Sequence, residues 1–269
     1  MTPWLELCRA AAADVRGALG ALPTRVEREA SRGLGEGGDE TTAIDEAAEN
    51  LVVARLEALH ATGVDFVLVS EELGERRFGE RPELRVVVDP IDGSVNSKRG
   101  IPFFSLSVAV AEGPAMRDVV FGYVHDFGSG EEWVAERGRG AWLDGRPLDG
   151  IGPKAEIELL SFEATMTHFV ADKAAAFLDL APRMRIMGSL ALSLCHLAAG
   201  RVDAVVSLKP IRSVDIAAGQ LLLAERGLAL ALPDVDSPFG DAPLDVTARS
   251  RIVAAGSHAT CERLAAALV

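Results

Sequence analysis

Val86-Val87-Val88-Asp89-Pro90-Ile91-Asp92-Gly93-Ser94 is the stretch on which the reading of this chain turns. Three β-branched residues run straight into a carboxylate, so a buried strand is expected to end at Asp89. Pro90 has no N–H and fixes its own φ, which should terminate sheet pairing there. Asp92 follows across a tight turn, so the two carboxylates can converge on one point. Gly93 and Ser94 open a turn or short helix whose free N–H groups can hold an anion. Two hard oxygen donors beside an anion cradle suit a Mg²⁺-assisted phosphate site, where the metal bridges carboxylates and phosphate oxygens. The same residues are all turn formers, and a plain surface turn would be spelled the same way. The rest of the chain has to decide.

With 269 residues, 49% hydrophobic and 25% charged, the composition is that of one large or two ordinary globular domains. No uncharged apolar run approaches the length of a membrane span. Glu6, Arg9, Asp14 and Arg16 interrupt the apolar N-terminus, which reads as a helix and not a signal peptide. Cys8, Cys195 and Cys261 fit no zinc spacing or disulfide framework, so a reducing cytoplasm is the expected location. The net charge of −13, with no basic cluster, argues against nucleic acid as a partner. An anionic substrate then needs metal ions or local arginines.

Helical spacing marks Pro3 to Leu22 and Asp39 to His60, the latter with Thr42 and Asp45 at the positions of a capping box. Gly33 to Gly38 satisfies G-x-G-x-x-G, but no strand precedes it, so a mobile loop is expected and not a dinucleotide site. Phe66 to Ser70 is a second strand running into acid, Glu71-Glu72. Phe103 to Gly145 reads as antiparallel strands, and Leu143 to Pro147 as a turn at a domain boundary. Beyond it, strands are expected at 156–162, 183–187, 202–208, 228–232 and 251–255. Helices are expected at 167–180, 189–199 and 215–226 and from His258, an alternation typical of a layered α/β domain. Asp215 occupies an apparent N-cap, and Ala217-Ala218-Gly219 would let that helix approach another backbone closely. Gly188-Ser189 likewise opens a helix after a strand, a natural place for hydrogen bonds to a ligand.

In this order the segments resemble the inositol monophosphatase superfamily, most closely its archaeal-type branch with fructose-1,6-bisphosphatase activity. Asp89-Pro90-Ile91-Asp92-Gly93-Ser94 matches the first signature, Val214-Asp215-Ile216-Ala217-Ala218-Gly219 the second, and Ser70-Glu71-Glu72 the short acidic motif. Asp39 and Asp45 match two acids before the second helix, while Phe104 to Ala109 and Gly138 to Gly145 match sheet segments. The resemblance implies a layered αβαβα sandwich. Residues 1–146 would form an α+β domain with N-terminal helices and a largely antiparallel sheet. Residues 147–269 would form a smaller α/β domain contributing Asp215.

It further implies a phosphatase for sugar or cyclitol phosphates, fructose 1,6-bisphosphate and inositol 1-phosphate among them, working by in-line attack of a metal-activated water. Two to three Mg²⁺ ions, with Mn²⁺ as an alternative, would be held by Glu71, Asp89, Asp92, Asp215 and the Ile91 carbonyl, with Asp45 at a further ion. Glu71, Ser94 and Asp45 would serve catalysis. Substrate would meet Asp92, Gly93, Ser94, Ser189, Arg212 and Asp215. A homodimer with no membrane partner is expected. Leu208 and Val214 depart from the animal inositol phosphatases, as does the lack of a lysine in Gly33 to Gly38, which argues against strict inositol specificity. Arg212 suits a second phosphate. Adenosine 3′,5′-bisphosphate, histidinol phosphate and NADP are alternative substrates on the same signatures, and a non-catalytic regulatory protein is the alternative of a different class.

Overall fold

The computed structural model describes residues 3–35, 40–163 and 166–268. Helix α1 (Pro3–Ala21) leads through a single turn, α2 (Arg25–Arg28), and a short hairpin, β1 (Ser31–Leu34) and β2 (Glu40–Thr42), into α3 (Ala43–His60). Strands β3 (Phe66–Ser70), β4 (Gly74–Phe78) and β5 (Leu84–Asp92) follow, then the short helix α4 (Ser94–Arg99). Strands β6 (Ser105–Ala111), β7 (Val119–Asp126), β8 (Glu132–Glu136), β9 (Gly140–Leu143) and β10 (Arg146–Pro147) complete the first half. The second half runs β11 (Leu160–Glu163), α5 (Thr167–Lys173), β12 (Met184–Arg185), α6 (Leu190–Ala198), β13 (Ala204–Ser207) and α7 (Ser213–Glu225). It closes with β14 (Ala229–Ala231), β15 (Val253–Ala255) and α8 (His258–Leu268).

The strands build an eight-stranded sheet, β10-β9-β8-β7-β6-β5-β3-β4, and a five-stranded one, β12-β11-β13-β15-β14. The first is antiparallel except where β3 runs parallel to β5. Side-chain alternation sorts the core. Phe66, Leu68, Val86 and Val88 pack with Val15, Ile44 and Leu56 of α1 and α3. Val69 and Val87, one residue out of phase, pack with Leu192, Val214 and Ala218 of α6 and α7. The second sheet puts Leu160, Phe162 and Val206 against Leu264 of α8. The order helix, sheet, helix, sheet, helix is the αβαβα sandwich expected from the sequence. Because α6 and α7 lie between two sheets, they are apolar nearly all round, and every residue of α7 from Ser213 to Leu223 is buried. The small residues of α7 serve close approach, as expected. A Cβ on Gly122 of β7 would stand 2.8 Å from the Ala218 carbonyl oxygen, and one on Gly219 would stand 2.8 Å from Leu194 Cδ1. No described helix is long and apolar enough to cross a membrane.

Several sequence expectations need correction. β5 does not end at Asp89. It pairs Asp89 with Ser107 and Asp92 with Ser105, so Pro90 and Ile91 sit in a bulge where a missing N–H does little harm. The second helix starts at Ala43 and not at residue 39, its place taken by β2. Of the loop expected over Gly33 to Gly38, Gly33 and Leu34 pair with β2, whereas residues 36–38, and Asp39 of the expected helix, lie outside the described residues. The helix expected at 167–180 ends at Lys173 and tightens into a 3₁₀ turn, Ala174–Phe177. The strand expected at 183–187 shrinks to Met184–Arg185.

Candidate active site

Parallel pairing aligns Ser70 with Val88, so the chain delivers Glu71 and Asp89 side by side on the α7 face, in the parity of Val69 and Val87. Glu72 takes the opposite direction, and its Oε2 accepts a hydrogen bond from the Thr41 hydroxyl. Helix α7 supplies the third acid. Arg212 is its N-cap, and Asp215, third in the helix, accepts the Arg212 N–H through Oδ2 at 2.7 Å. Asp215 is therefore not the N-cap that its sequence position suggested. It closes the helix end from inside the first turn. One oxygen each from Glu71, Asp89 and Asp215 lie within 4.8 Å of one another.

Asp92, carried past the bulge, is clamped by the start of α6. Its Oδ2 accepts the Ser189 hydroxyl at 2.6 Å and the Ala191 N–H at 2.7 Å. Ser189 is also the α6 N-cap, accepting the Leu192 N–H at 3.3 Å. The structure thus sets Ser189 against Asp92, whereas the sequence had assigned it to a ligand. Gly93 turns the chain with φ +96°, and a Cβ there would lie 3.0 Å from the Gly188 carbonyl oxygen, so only glycine fits. The first bond of α4 comes from the Asn96 N–H to the Gly93 carbonyl at 2.9 Å, which places the Gly93 and Ser94 N–H groups at the open end of the turn. The Ser94 hydroxyl donates to the Ile91 carbonyl at 3.1 Å, leaving that carbonyl a second lone pair.

Asp45 performs the capping-box role and more. Its Oδ2 accepts the Thr42 N–H (3.1 Å) and hydroxyl (2.6 Å). Its Oδ1 is buried and accepts no hydrogen bond among the described residues. A narrow crevice is lined by Asp45, Glu71, Glu72, Asp89, Pro90, Ile91 and Ser94.

Burial pushes Glu71 up to about 8, with Arg212 opposing the shift and the charges of Asp215 and Glu72 adding to it. Burial and then repulsion from Glu71, Asp92 and Asp215 raise Asp89 well above the ordinary carboxylate range. Asp92 is pushed to about 7 by burial and by Asp215. These acids cannot all carry charge together without a cation beside them. Arg212 is the one on hand: 7% exposed, it donates from Nη2 to Glu71 Oε1 and lies 3.8 Å from Asp215 Oδ1. The sequence assigned Arg212 to a second phosphate of the substrate; the structure shows it bonded to the acids of the site. An all-oxygen, buried, mutually repelling donor set with a spare Asp45 oxygen fits a hard divalent cation.

Sequence reasoning passed over two acids. Glu49 follows Asp45 by one helical turn, is 3% exposed, and faces Ser70 and the Glu72 backbone. Glu163 follows an apolar run in the sequence as Glu71 and Asp89 do, and that shared pattern was the signal for it.

A model of the inositol monophosphatase family matches residues 3–269. The chain belongs to that family. A fructose-1,6-bisphosphatase/inositol-1-monophosphatase of Methanothermobacter thermautotrophicus is 34% identical over 86% of this chain and 84% of its own. A bifunctional NADP phosphatase/NAD kinase of Methanococcus maripaludis is 30% identical over 72% of this chain and 37% of its own. Among solved structures, an inositol monophosphatase–fructose 1,6-bisphosphatase superposes with a TM-score of 0.83 at 26% identity, covering 99% of this chain and all of that one.

Proposed function

We propose that this protein is a Mg²⁺-dependent phosphatase that hydrolyses sugar and cyclitol phosphates, fructose 1,6-bisphosphate and inositol 1-phosphate among them. The observation that carries the reading is the convergence of Glu71, Asp89 and Asp215 within 4.8 Å, next to the Gly93-Ser94 turn. Asp89, Asp92, Asp215, Glu71 and the Ile91 carbonyl would hold two ions, and Asp45 a third. Bound there, divalent ions supply Lewis acidity toward the phosphate and lower the pKa of water. The protein's own share is orientation. Gly93 and Ser94 N–H groups hold the phosphate, and the clamp on Asp92 keeps its carboxylate turned to the site. Glu71, ionised beside the bound ions, would take a proton from the attacking water while Ser94 Oγ aligns it. Arg212, once its charge beside Glu71 is replaced, is placed to meet a second anionic group on the substrate.

Mn²⁺ is the alternative ion. We read the chain as two domains, 1–146 and 147–269, meeting at this site, and the protein as a cytoplasmic homodimer. A second reading, phosphatase activity on NADP, is favoured by the Methanococcus relative. A phosphate-release panel in Mg²⁺ separates these readings. Release from fructose 1,6-bisphosphate and inositol 1-phosphate supports the first, and release from NADP alone the second. Release from no ester would leave a non-catalytic protein on this fold.

A further inference from the structure

Glu163 belongs to the second sheet and touches none of the converging acids, yet its side chain holds the segment that clamps Asp92. It is 7% exposed at the end of β11. Its Oε1 accepts the hydroxyls of Ser161 (2.8 Å) and Ser193 (2.7 Å), and its Oε2 accepts the Gly188 N–H at 2.9 Å. Gly188 has φ +87° and is the residue before Ser189, whose hydroxyl holds Asp92. The same short segment is tied from α4 by Asn96, whose Nδ2 donates to the Met187 carbonyl at 2.7 Å and the Phe103 carbonyl at 2.8 Å. Ser193 also lies 2.9 Å from the Ser189 carbonyl oxygen.

We propose that Glu163 is a positioning residue for the cation centre: by holding Gly188 it fixes Ser189 and the start of α6, and through them the direction of the Asp92 carboxylate. The inference rests on the reading of Asp92 as part of that centre. Asp92 depends on two donors, Ser189 Oγ and Ala191 N–H, and both lie within three residues of the N–H that Glu163 accepts. Without the Glu163 acceptor the Gly188 N–H loses its partner, while Ser161 can turn to Ser193 and Ser193 to the Ser189 carbonyl, so the segment at Gly188 has to shift to find another acceptor. Asn96 would still hold it at Met187, upstream of the clamp, and Ser193 at the Ser189 carbonyl, but neither replaces the bond at Gly188 itself, between those two ties. Glu163 also lies close enough to Asp92 to add to the repulsion on it, so a remote effect of its charge has to be separated from positioning.

The test is Mn²⁺ binding to chelator-stripped protein, followed by the electron paramagnetic resonance of the free ion, with thermal unfolding recorded for each variant. Glu163→Ala should weaken Mn²⁺ binding by about 10–100-fold, the usual range for removing a partner that orients a metal ligand. Glu163→Gln removes the charge but keeps an acceptor for Gly188, since the serine hydroxyls can turn to suit its amide, and should stay within about threefold of wild type. In a Ser189→Ala background, Glu163→Ala should have little further effect, because the two changes act through one path. If Glu163→Ala does not fold, Ser161→Ala/Ser193→Ala, which frees the Glu163 side chain, should weaken binding in the same direction. Wild-type affinity in the variant that folds would overturn the inference. So would a Glu163→Gln loss as large as that of Glu163→Ala, which would make Glu163 a remote charge. A wild type that binds no Mn²⁺ would overturn the cation centre itself, an outcome distinct from a wild type and a Glu163→Ala variant that bind equally well.

Discussion

Replacing Arg212 with methionine tests whether the acids of the site depend on a positive charge. The guanidinium is almost wholly buried, hydrogen-bonded to Glu71 and 3.8 Å from Asp215 Oδ1. At an effective dielectric constant of about 20, a unit pair at that distance interacts by about 4 kcal/mol. Desolvation of the arginine offsets part of this, but removing one partner leaves the carboxylates buried and uncompensated, which costs about 3–5 kcal/mol. Methionine keeps most of the volume, so a packing loss adds little. In chelator, Arg212→Met should therefore lose about 3–5 kcal/mol in urea denaturation, equivalent to a melting temperature roughly 10 °C lower. In saturating Mg²⁺ the loss should shrink by more than half, because the ion takes over neutralisation. An identical loss with and without Mg²⁺, or none in chelator, would refute the argument.

Other expectations follow from the same geometry. Glu71→Gln should lower kcat by roughly 10²–10⁴-fold, whereas Glu72→Gln, turned toward Thr41, should stay within about tenfold; steady-state kinetics at saturating Mg²⁺ distinguish them. Glu49 is raised from 4.5 to about 7 by burial, so the stability its neutral form contributes is complete below 4.5 and lost as pH rises through 7. Glu49→Gln should thus stabilise the chelated protein by up to about 3 kcal/mol at pH 8.5 and by less than about 1 kcal/mol at pH 5, read by urea denaturation. An equal gain at both values would contradict burial as the cause. Glu71 and Asp92, raised to about 8 and about 7, obey the same sign: the metal-free protein loses stability as pH rises through that window. A cation needs these groups ionised, so the Mg²⁺-induced rise in melting temperature should be larger at pH 8.5 than at pH 6, and an equal rise would count against their ligation.

Glu71 and Asp89 were legible as candidates because each stands where an apolar run stops, and Asp92 because it follows Asp89 across a turn, whereas Asp45 and Asp215 rested on the resemblance. Val86 to Asp89 and Phe66 to Glu71 announce a strand and a carboxylate together, and their shared register brings Glu71 beside Asp89. The choice between Glu71 and Glu72 was not legible from alternation, since helices cover both faces of that sheet and both parities are apolar. Pro90 read as the end of β5, but Ser105 and Ser107 of β6 carry the pairing across a bulge, a property of the partner strand and not of the motif. Asp215 looked like an N-cap because Arg212 is an unusual one. Its true place appears only when the Arg212 N–H is seen bonded to the carboxylate. The inward turn of Arg212 was hidden for a related reason, as a sequence does not tell whether an arginine faces substrate or neutralises its neighbours. Glu163 carries the same signal, an acid directly after the apolar stretch Leu159-Leu160-Ser161-Phe162, as Asp89 follows Val86 to Val88.

The most direct test is phosphate release from fructose 1,6-bisphosphate and inositol 1-phosphate by chelator-stripped protein as Mg²⁺ is added back, with Asp89→Asn alongside. Asp89 is 1% exposed and one of the three acids whose oxygens meet, so its amide should empty the centre without altering the surface. The account predicts no release in chelator, saturable recovery with Mg²⁺ in the wild type, and no recovery in Asp89→Asn. Undiminished hydrolysis in chelator, or an Asp89→Asn protein that recovers like the wild type, would contradict it.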